Sequence, residues 1–207
     1  MKVLIVDDHP IVLSGFKALL DHNSSEPAME VVDAQSAVEA EQVLATEAVD
    51  VCVVDINLPG ISGFSLARKI LAVNPAARII MFSMNDEPMS VAQAMDVGAH
   101  GFVSKNDNPR RMLEAIEAVA AGQSAWPAGI AERIAHLDAS QSAPPLLTPR
   151  EHDVLRLLAT GKSLSEIGEA VSVSYKTAAM TCAGLRTKLS ARTQAELVAI
   201  AVERKLV

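Results

Sequence analysis

Charged and hydroxyl side chains follow several short apolar runs in the first half of the chain. Asp7 and Asp8 follow the first run and Asp55 the third, whereas Ser83 and Lys105 stand at the ends of the fourth and fifth. If these runs are parallel strands of one sheet, with the first and third side by side, their carboxyl ends meet at one edge. Three carboxylates placed together require a cation, and oxygen ligands suit Mg²⁺. An aspartate beside a divalent cation, a lysine and a hydroxyl predicts phosphoryl transfer, with Asp55 as the nucleophile.

The elements that must position these side chains alternate in type. Over residues 1–122, five β-branched runs alternate with five stretches of helical spacing, which predicts an α/β fold with a doubly wound parallel five-stranded sheet. The runs VLIV, VCVV and RIIMF are almost continuously apolar, as is typical of strands buried on both faces. The predicted strands are Lys2–Val6, Glu30–Asp33, Val51–Val54, Arg78–Phe82 and Gly101–Ser104, and the predicted helices are Val12–Leu20, Ser36–Thr46, Phe64–Val73, Pro88–Val97 and Pro109–Ala121.

Composition limits the class of protein. The 207 residues are 50% hydrophobic but only 3% aromatic, so a packed core is expected and must consist largely of aliphatic side chains. The two cysteines, Cys52 and Cys182, lie within apolar stretches, which excludes a disulfide framework and favours a reducing cytoplasm. Apolar runs stay well below the ~20 residues of a membrane span, and the early acidic pair argues against a signal peptide. We therefore expect a cytoplasmic protein without a membrane partner.

A second domain follows a change in composition. Residues 123–145 are rich in Ser, Ala, Pro and Gln and are predicted to form an interdomain linker, with a short helix near Ile130–Leu137. Residues 1–122 carry 8 basic and 17 acidic side chains, whereas residues 146–207 carry 9 and 6. Thr148 begins a capping box, and four short helices are expected after it. The sequence thus predicts an acidic α/β domain followed by a small, mildly basic, all-α four-helix domain.

The second domain has the pattern of a helix-turn-helix. In its longest helix, Ser174–Leu189, apolar residues at positions 178, 182, 185 and 189 form one stripe, which predicts the buried face. The opposite face is expected to enter the major groove of double-stranded DNA. The candidate DNA-binding residues there are Tyr175, Lys176, Thr177, Ala179, Met180, Ala183, Arg186 and Lys188. Two surfaces are candidates for dimerisation: the last helix, Thr193–Arg204, with an apolar stripe of Leu197, Val198 and Ala201, and the face of the first domain near Ser83 and Phe102.

The motifs VLIVDDHP, VDINLPGISG, FSMND and GAHGFVSK, in this order, resemble the receiver domain of two-component response regulators over about residues 1–122. The resemblance implies a flavodoxin-like fold and a phosphoryl group transferred from a partner histidine kinase to Asp55. It also implies Mg²⁺ held by Asp8, Asp55 and the backbone carbonyl of Asn57, with Asp7 assisting directly or through water. Ser83 and Lys105 would then bind the phosphoryl oxygens, and Phe102 would be the switch aromatic residue.

The stretch from Leu147 to Ala201 resembles a LuxR-type helix-turn-helix, and the whole chain resembles a NarL/FixJ-type response regulator. The resemblance implies that phosphorylation controls homodimer formation and DNA binding, and that an unphosphorylated receiver can mask the recognition helix. Two positions depart from the family pattern in that helix, because Ala179 and Thr181 stand where Lys and His are frequent. In the receiver, Asn106 stands where many members have Pro, and Phe102 lacks a tyrosine hydroxyl.

Two other functions remain open at this point. The first is a phosphatase with an aspartyl nucleophile, although such an enzyme would normally carry an acidic residue two positions after the nucleophile, where this chain has Asn57. The second is a protein-binding adaptor whose helix-turn-helix has lost its affinity for DNA, which Ala179 and Thr181 would explain. We expect a DNA-binding regulator rather than an enzyme, with its only catalysis being its own phosphorylation and dephosphorylation.

Overall fold

The computed structural model describes residues 1–21, 29–84, 87–139 and 147–203. Three sequence features lie wholly or partly outside these ranges: the Ala143-Pro144-Pro145 segment of the predicted linker, the last two residues of the FSMND motif, and Arg204 at the end of the last predicted helix. Within the described ranges, no helix is long and apolar enough to cross a membrane.

The first domain is a five-stranded sheet in which all neighbouring strands are parallel, in the order β2-β1-β3-β4-β5. The predicted α/β fold is confirmed, and each predicted strand is present to within one residue at either end. The reversal of strand order between β1 and β3 places their carboxyl ends beside each other. The strands are β1 (Lys2–Val6), β2 (Glu30–Ala34), β3 (Val51–Asp55), β4 (Ile79–Ser83) and β5 (Gly101–Ser104).

Five helices connect the strands and cover both faces of the sheet. Several begin at a polar residue whose side chain accepts a hydrogen bond from the first helical turn, as Ser36, Ser62 and Asn108 do. Alternate residues of β1 contribute to opposite faces: Leu4 belongs to the core under α2, α3 and α4, and Ile5 to the core under α1 and α5. The helices are α1 (Pro10–Asp21), α2 (Ala37–Thr46), α3 (Gly63–Val73), α4 (Pro88–Asp96) and α5 (Pro109–Ala120).

The predicted linker begins with a segment that packs on the sheet domain. Ala125 lies along β5, where its carbonyl accepts a hydrogen bond from the Phe102 amide at 2.9 Å. Trp126 packs against the core, and the following helix α6 (Ile130–Ala139) buries Ile130 beside α4. Aromatic and aliphatic side chains from the predicted linker, Trp126 and Ile130, therefore contribute to the core of the sheet domain.

The second domain consists of four helices around one apolar core. A capping box formed by Thr148 and Glu151 begins the first of them, and a second box formed by Ser163 and Glu166 begins the next. Ala178 and Leu185 are fully buried, and Cys182 and Leu189 pack against the same core, so the predicted apolar stripe does face inward. The helices are α7 (Pro149–Ala159), α8 (Leu164–Ala170), α9 (Tyr175–Lys188) and α10 (Gln194–Glu203).

Candidate functional site

The acidic side chains predicted to converge lie together at the carboxyl edge of the sheet. Asp55 is the last residue of β3, and Asp7 and Asp8 directly follow β1, with Val6 paired to Val54. Ligand atoms of Asp7, Asp8, His9 and Asp55 all lie within 4.8 Å of one another. The strand order thus brings together carboxylates that are 47 or 48 residues apart in the sequence.

One ammonium group lies between two of these carboxylates. Lys105 Nζ is 2.6 Å from Asp7 Oδ2 and 2.9 Å from Asp55 Oδ2, and its side chain is only 9% exposed. Burial lowers the pKa of Lys105, but the adjacent Asp55 and Asp7 carboxylates outweigh burial, so that the pKa is raised overall. Burial raises the pKa of Asp55, and the charge of Lys105 offsets part of that effect. Lys105 is therefore a fixed positive charge beside the Asp55 carboxylate.

Among the described residues, Lys105 is the one lysine or arginine side chain that forms an ion pair with these three carboxylates, so the cluster keeps a surplus of negative charge. Its donor atoms are mainly carboxylate oxygens, which are the ligands that Mg²⁺ prefers. A divalent cation would remove the surplus and would also favour the ionised form of Asp55. The residues of this acidic cluster therefore fit a divalent cation such as magnesium.

The loop after Asp55 is tightly constrained at both ends. The Asn57 amide donates to Asp55 Oδ1 at 3.2 Å, and the Gly63 amide donates to the Ile56 carbonyl at 2.8 Å. Gly60 has a φ of 82°, which favours glycine, and any Cβ at position 63 would overlap the Asp55 carbonyl oxygen. Glycine at position 63 thus lets α3 begin against the backbone of the candidate nucleophile.

The predicted switch residues lie on the next two strands. Ser83 ends β4, is 2% exposed, and is paired in register with Ser104 of β5. Phe102 is 1% exposed and lies in the core shared with α4 and α6. Asn106 Nδ2 donates to the Met84 carbonyl at 3.1 Å, which ties the loop after β4 to the loop after β5. The hydroxyl and the aromatic residue therefore occupy adjacent strands next to Lys105.

Helix α9 presents most of the predicted DNA-binding residues to solvent. Tyr175 is 60% and Met180 67% exposed, and neither Lys176 nor Arg186 forms an ion pair with a carboxylate within the described residues. Lys176, Thr177, Ala183 and Arg186 are exposed, whereas Ala179 is half-buried. Within residues 1–21, 29–84, 87–139 and 147–203, the sheet domain leaves these side chains of α9 exposed.

Lys188 differs from the other basic residues of α9. Its Nζ lies 2.6 Å from Glu151 Oε2, so it links the end of α9 to the capping box of α7. Burial raises the pKa of Glu151, but the hydrogen bonds from Lys188 and Thr148, together with the charge of Lys188, outweigh burial, so that the pKa is lowered overall. Within the domain the charge of Lys188 is thus already paired with Glu151, and the contact of Lys188 with DNA stays a prediction.

The prediction that an apolar stripe of α10 forms a dimer contact needs correction. Leu197 and Ala201 are fully buried in the core of their own domain, and Val198 packs against that core. The apolar spacing had two explanations, an intradomain core and a dimer contact, and the small domain uses it for its core. Leu197 and Ala201 therefore offer no free apolar area to a second subunit.

A contact between the two domains went unrecognised in the sequence. The Ser62 amide and the Ser65 hydroxyl of the sheet domain each donate to the Asp153 carboxylate of α7, both at 2.5 Å. Arg156 Nη2 donates to the Gly60 carbonyl at 3.0 Å, and His152 packs edge-on against Phe64 with ring centroids 5.4 Å apart. The spacing of positions 153 and 156 places both charges on one helix face, but nothing in the sequence indicates their partners.

Both domains match families of known proteins. Residues 3–117 match the response regulator receiver domain, and residues 145–201 match the luxR family of bacterial regulatory proteins. The chain is 31% identical to the transcriptional regulatory protein MctR of Rhizobium johnstonii over 208 aligned residues, which cover all of this chain and 95% of MctR.

Solved structures of RcsB extend the similarity to three dimensions. RcsB from Salmonella enterica serovar Typhimurium, bound to the rprA promoter in the presence of the phosphomimetic BeF3-, matches with a TM-score of 0.77 and 26% identity over 96% of each chain. A structure of two RcsB dimers bound to two parallel DNAs matches with a TM-score of 0.60 and 26% identity, again over 96% of each chain. This chain therefore belongs to the response regulators that join a receiver domain to a LuxR-type DNA-binding domain.

Proposed function

We propose that the protein is a transcription regulator whose binding to double-stranded DNA is controlled by phosphorylation of Asp55, with Mg²⁺ as cofactor and a histidine kinase as phosphodonor. The observation that carries this proposal is the convergence of Asp7, Asp8 and Lys105 on the Asp55 carboxylate. The DNA-binding domain on the same chain supplies the output. Both proposed partners, DNA and the phosphorylated domain of the kinase, are found in the cytoplasm, which is the proposed location.

The transfer itself needs a positioned carboxylate and neutralised charge. An Asp55 oxygen forms the new bond to phosphorus while the bond from phosphorus to the histidine nitrogen of the kinase breaks, and that nitrogen retains the electron pair. Lys105, fixed at 2.9 Å from Asp55, then offers its ammonium to a phosphoryl oxygen, and the Ser83 hydroxyl offers a hydrogen bond to another. Asp8 and Asp55 would hold a magnesium ion, which would further neutralise the phosphoryl oxygens.

These contacts explain how a covalent change at Asp55 is detected. Drawing Ser83 and Lys105 toward the phosphoryl group shifts the ends of β4 and β5, which the Asn106–Met84 hydrogen bond joins. Phe102 lies on β5 in the core that α4 shares with α6, so this shift changes the packing of both helices. The proposed switch is thus a two-state rearrangement of the β4–α4–β5 region.

DNA recognition is assigned to α9. Its N-terminal half presents Tyr175, Lys176, Thr177 and Met180 to solvent, where they can meet base edges, and Arg186 can contact a phosphate. One such helix contacts few base pairs, and specific affinities of ~10⁻⁸ M or better usually need two half-sites. We therefore also propose that the phosphorylated protein binds DNA as a homodimer, which the structure of two RcsB dimers on DNA supports.

The phosphorylation half of the proposal is tested by intact-mass analysis of the full chain with Mg²⁺ and a small phosphodonor. One acid-labile phosphoryl group is expected per chain, and the site is expected to be Asp55. Incorporation that persists in Asp55→Asn would overturn the site assignment. Steady turnover of a phosphate ester without stable incorporation would instead favour the phosphatase.

A further inference from the structure

His9 adds a nitrogen donor to a cluster whose other donors are oxygen atoms. Its Nδ1 lies 3.0 Å from Asp8 Oδ1 and 3.1 Å from Asp7 Oδ1, directly before α1 begins at Pro10. The His9 amide also donates to Asp7 Oδ1 at 2.9 Å, which fixes the backbone at this position. The imidazole is therefore held at the edge of the acidic cluster, in contact with two of its carboxylates.

These distances suit two ligands of one metal ion. An octahedral ion with ligands at about 2.1 Å places neighbouring ligands about 3.0 Å apart and opposite ligands about 4.2 Å apart. The His9 nitrogen and the Asp8 oxygen have the first spacing, and the ligand atoms of Asp7, Asp8, His9 and Asp55 all lie within 4.8 Å of one another. The His9 side chain is 61% exposed, so its ring can turn toward an ion without disturbing the core.

An oxygen atom near the cluster also indicates a ligand from outside the chain. Asn57 Oδ1, two residues after Asp55, is buried and has no hydrogen-bond partner among the described residues. Buried polar atoms are rarely left unpaired in native proteins. A cation, or a water molecule bound to it, would satisfy this oxygen.

The type of donor determines which ion such a set prefers. Mg²⁺ takes oxygen ligands, whereas imidazole nitrogen suits transition ions, and affinity for mixed sites rises from Mn²⁺ through Co²⁺ to Ni²⁺. Carboxylates alone bind Mg²⁺ and transition ions through the same atoms. A set that includes His9 gains a bond to nitrogen only when a transition ion is bound.

We propose that His9 Nδ1 is a ligand of the divalent cation and makes the site bind a first-row transition ion in preference to Mg²⁺. This inference rests on the proposed function, because it names a ligand of the same cation that assists phosphorylation of Asp55. The imidazole binds in its neutral form, with the lone pair of Nδ1 toward the ion and the ring proton on Nε2. His9 is thus a specificity-determining residue for the metal.

The test compares binding of Co²⁺ and Mg²⁺ to the full chain stripped of metal. In the parent protein, ¹H NMR with Co²⁺ should show ring protons of one bound imidazole strongly shifted by the ion, and His9→Gln should lose these signals. His9→Gln should also weaken Co²⁺ binding about ten-fold or more and change Mg²⁺ binding little. His100→Gln, the same substitution before β5 at the opposite edge of the sheet, is the matched control and should keep the signals.

Asp8→Asn distinguishes the type of donor from the charge of the cluster. It should weaken the binding of both ions and leave the ratio of their dissociation constants near that of the parent, whereas His9→Gln should change this ratio. An unchanged ratio in His9→Gln, with no shifted ring protons in the parent, would overturn this inference alone. A parent protein that binds neither ion would overturn the cation of the proposed function and the inference with it.

Discussion

The acidic cluster and the recognition helix differ in what holds their side chains in place. Asp7 is fully buried and Lys105 is 9% exposed, and each is fixed by a partner within the same domain. By contrast, the side chains of Tyr175 and Met180 on α9 are more than half exposed to solvent. A site that does chemistry within one chain must be organised before its partner arrives, whereas a site that recognises a long polymer is completed by that polymer.

The strength of the charge interactions also differs between the acidic cluster and α9. The cluster gathers charges at distances below 3 Å, where burial and Coulomb interactions are strong enough to shift the pKa of Asp55 and of Lys105. On α9 the side chains of Lys176 and Arg186 are exposed, so water and salt screen the electrostatic interactions of their charges. These interactions become strong when DNA phosphates lie against the two side chains. Changes in the cluster should therefore alter chemistry in an all-or-none manner, and changes on α9 should alter affinity by degrees.

The largest expected effect is at the nucleophile. Asp55→Asn keeps the size of the side chain but removes the oxygen that would form the bond to phosphorus, so phosphorylation should fall to background. Intact-mass analysis with Mg²⁺ and a small phosphodonor measures it. The matched control is Asp50→Asn, five residues away and outside the cluster, which should label like the parent.

The second expected effect distinguishes the roles of Arg186 and Lys188, two basic residues of α9. Arg186→Ala should weaken DNA binding and reduce the slope of log K against log salt by about 0.9, because one phosphate contact is lost. Lys188→Ala should act mainly on stability, lowering the free energy of unfolding by up to about 1 kcal/mol, because its partner is Glu151. Titrations at several salt concentrations measure the first, and chemical denaturation the second. Equal slopes for the parent and Arg186→Ala would remove Arg186 from the DNA contact.

The third effect is a gain in stability from weakening the cluster. Asp8→Asn relieves repulsion among three carboxylates, so without divalent cations it should raise the free energy of unfolding by on the order of 1 kcal/mol. It should also diminish the stabilisation that added Mg²⁺ gives the parent. Thermal unfolding with and without Mg²⁺ measures both. Asp96→Asn, in an exposed pair with Arg68 at 3.5 Å, is the control expected to change little. A loss of stability in Asp8→Asn would contradict the surplus charge.

The smallest effect concerns Gly184 in α9. A Cβ there would meet no atom within 4 Å, and the helix continues for four residues beyond it. Gly184→Ala should therefore raise the free energy of unfolding of the DNA-binding domain by up to about 1 kcal/mol, through helix propensity alone. Chemical denaturation measures the change. A loss of stability would mean that glycine has a packing role at this position.

The two regions also differ in how far the sequence predicts them. The strand pattern and the residues at strand ends predict the sheet and the meeting of Asp7, Asp55 and Lys105, because parallel strands buried on both faces are short, almost continuously apolar runs in the sequence. On α10, the same apolar spacing suits a core or a dimer contact, and Leu197 is in the core. Asp153 could not be assigned either, since its partners come from another domain and long-range hydrogen bonds leave no local pattern.

The central claim is that loading Asp55 raises affinity for DNA, and a binding titration with and without beryllofluoride tests it most directly. A DNA fragment is first selected with the loaded full-length protein, and its dissociation constant is then measured for the parent and for Asp55→Asn. The account predicts that beryllofluoride with Mg²⁺ tightens binding by the parent and leaves Asp55→Asn unchanged. A parent protein that is phosphorylated at Asp55 but binds this DNA equally well in both states would contradict it.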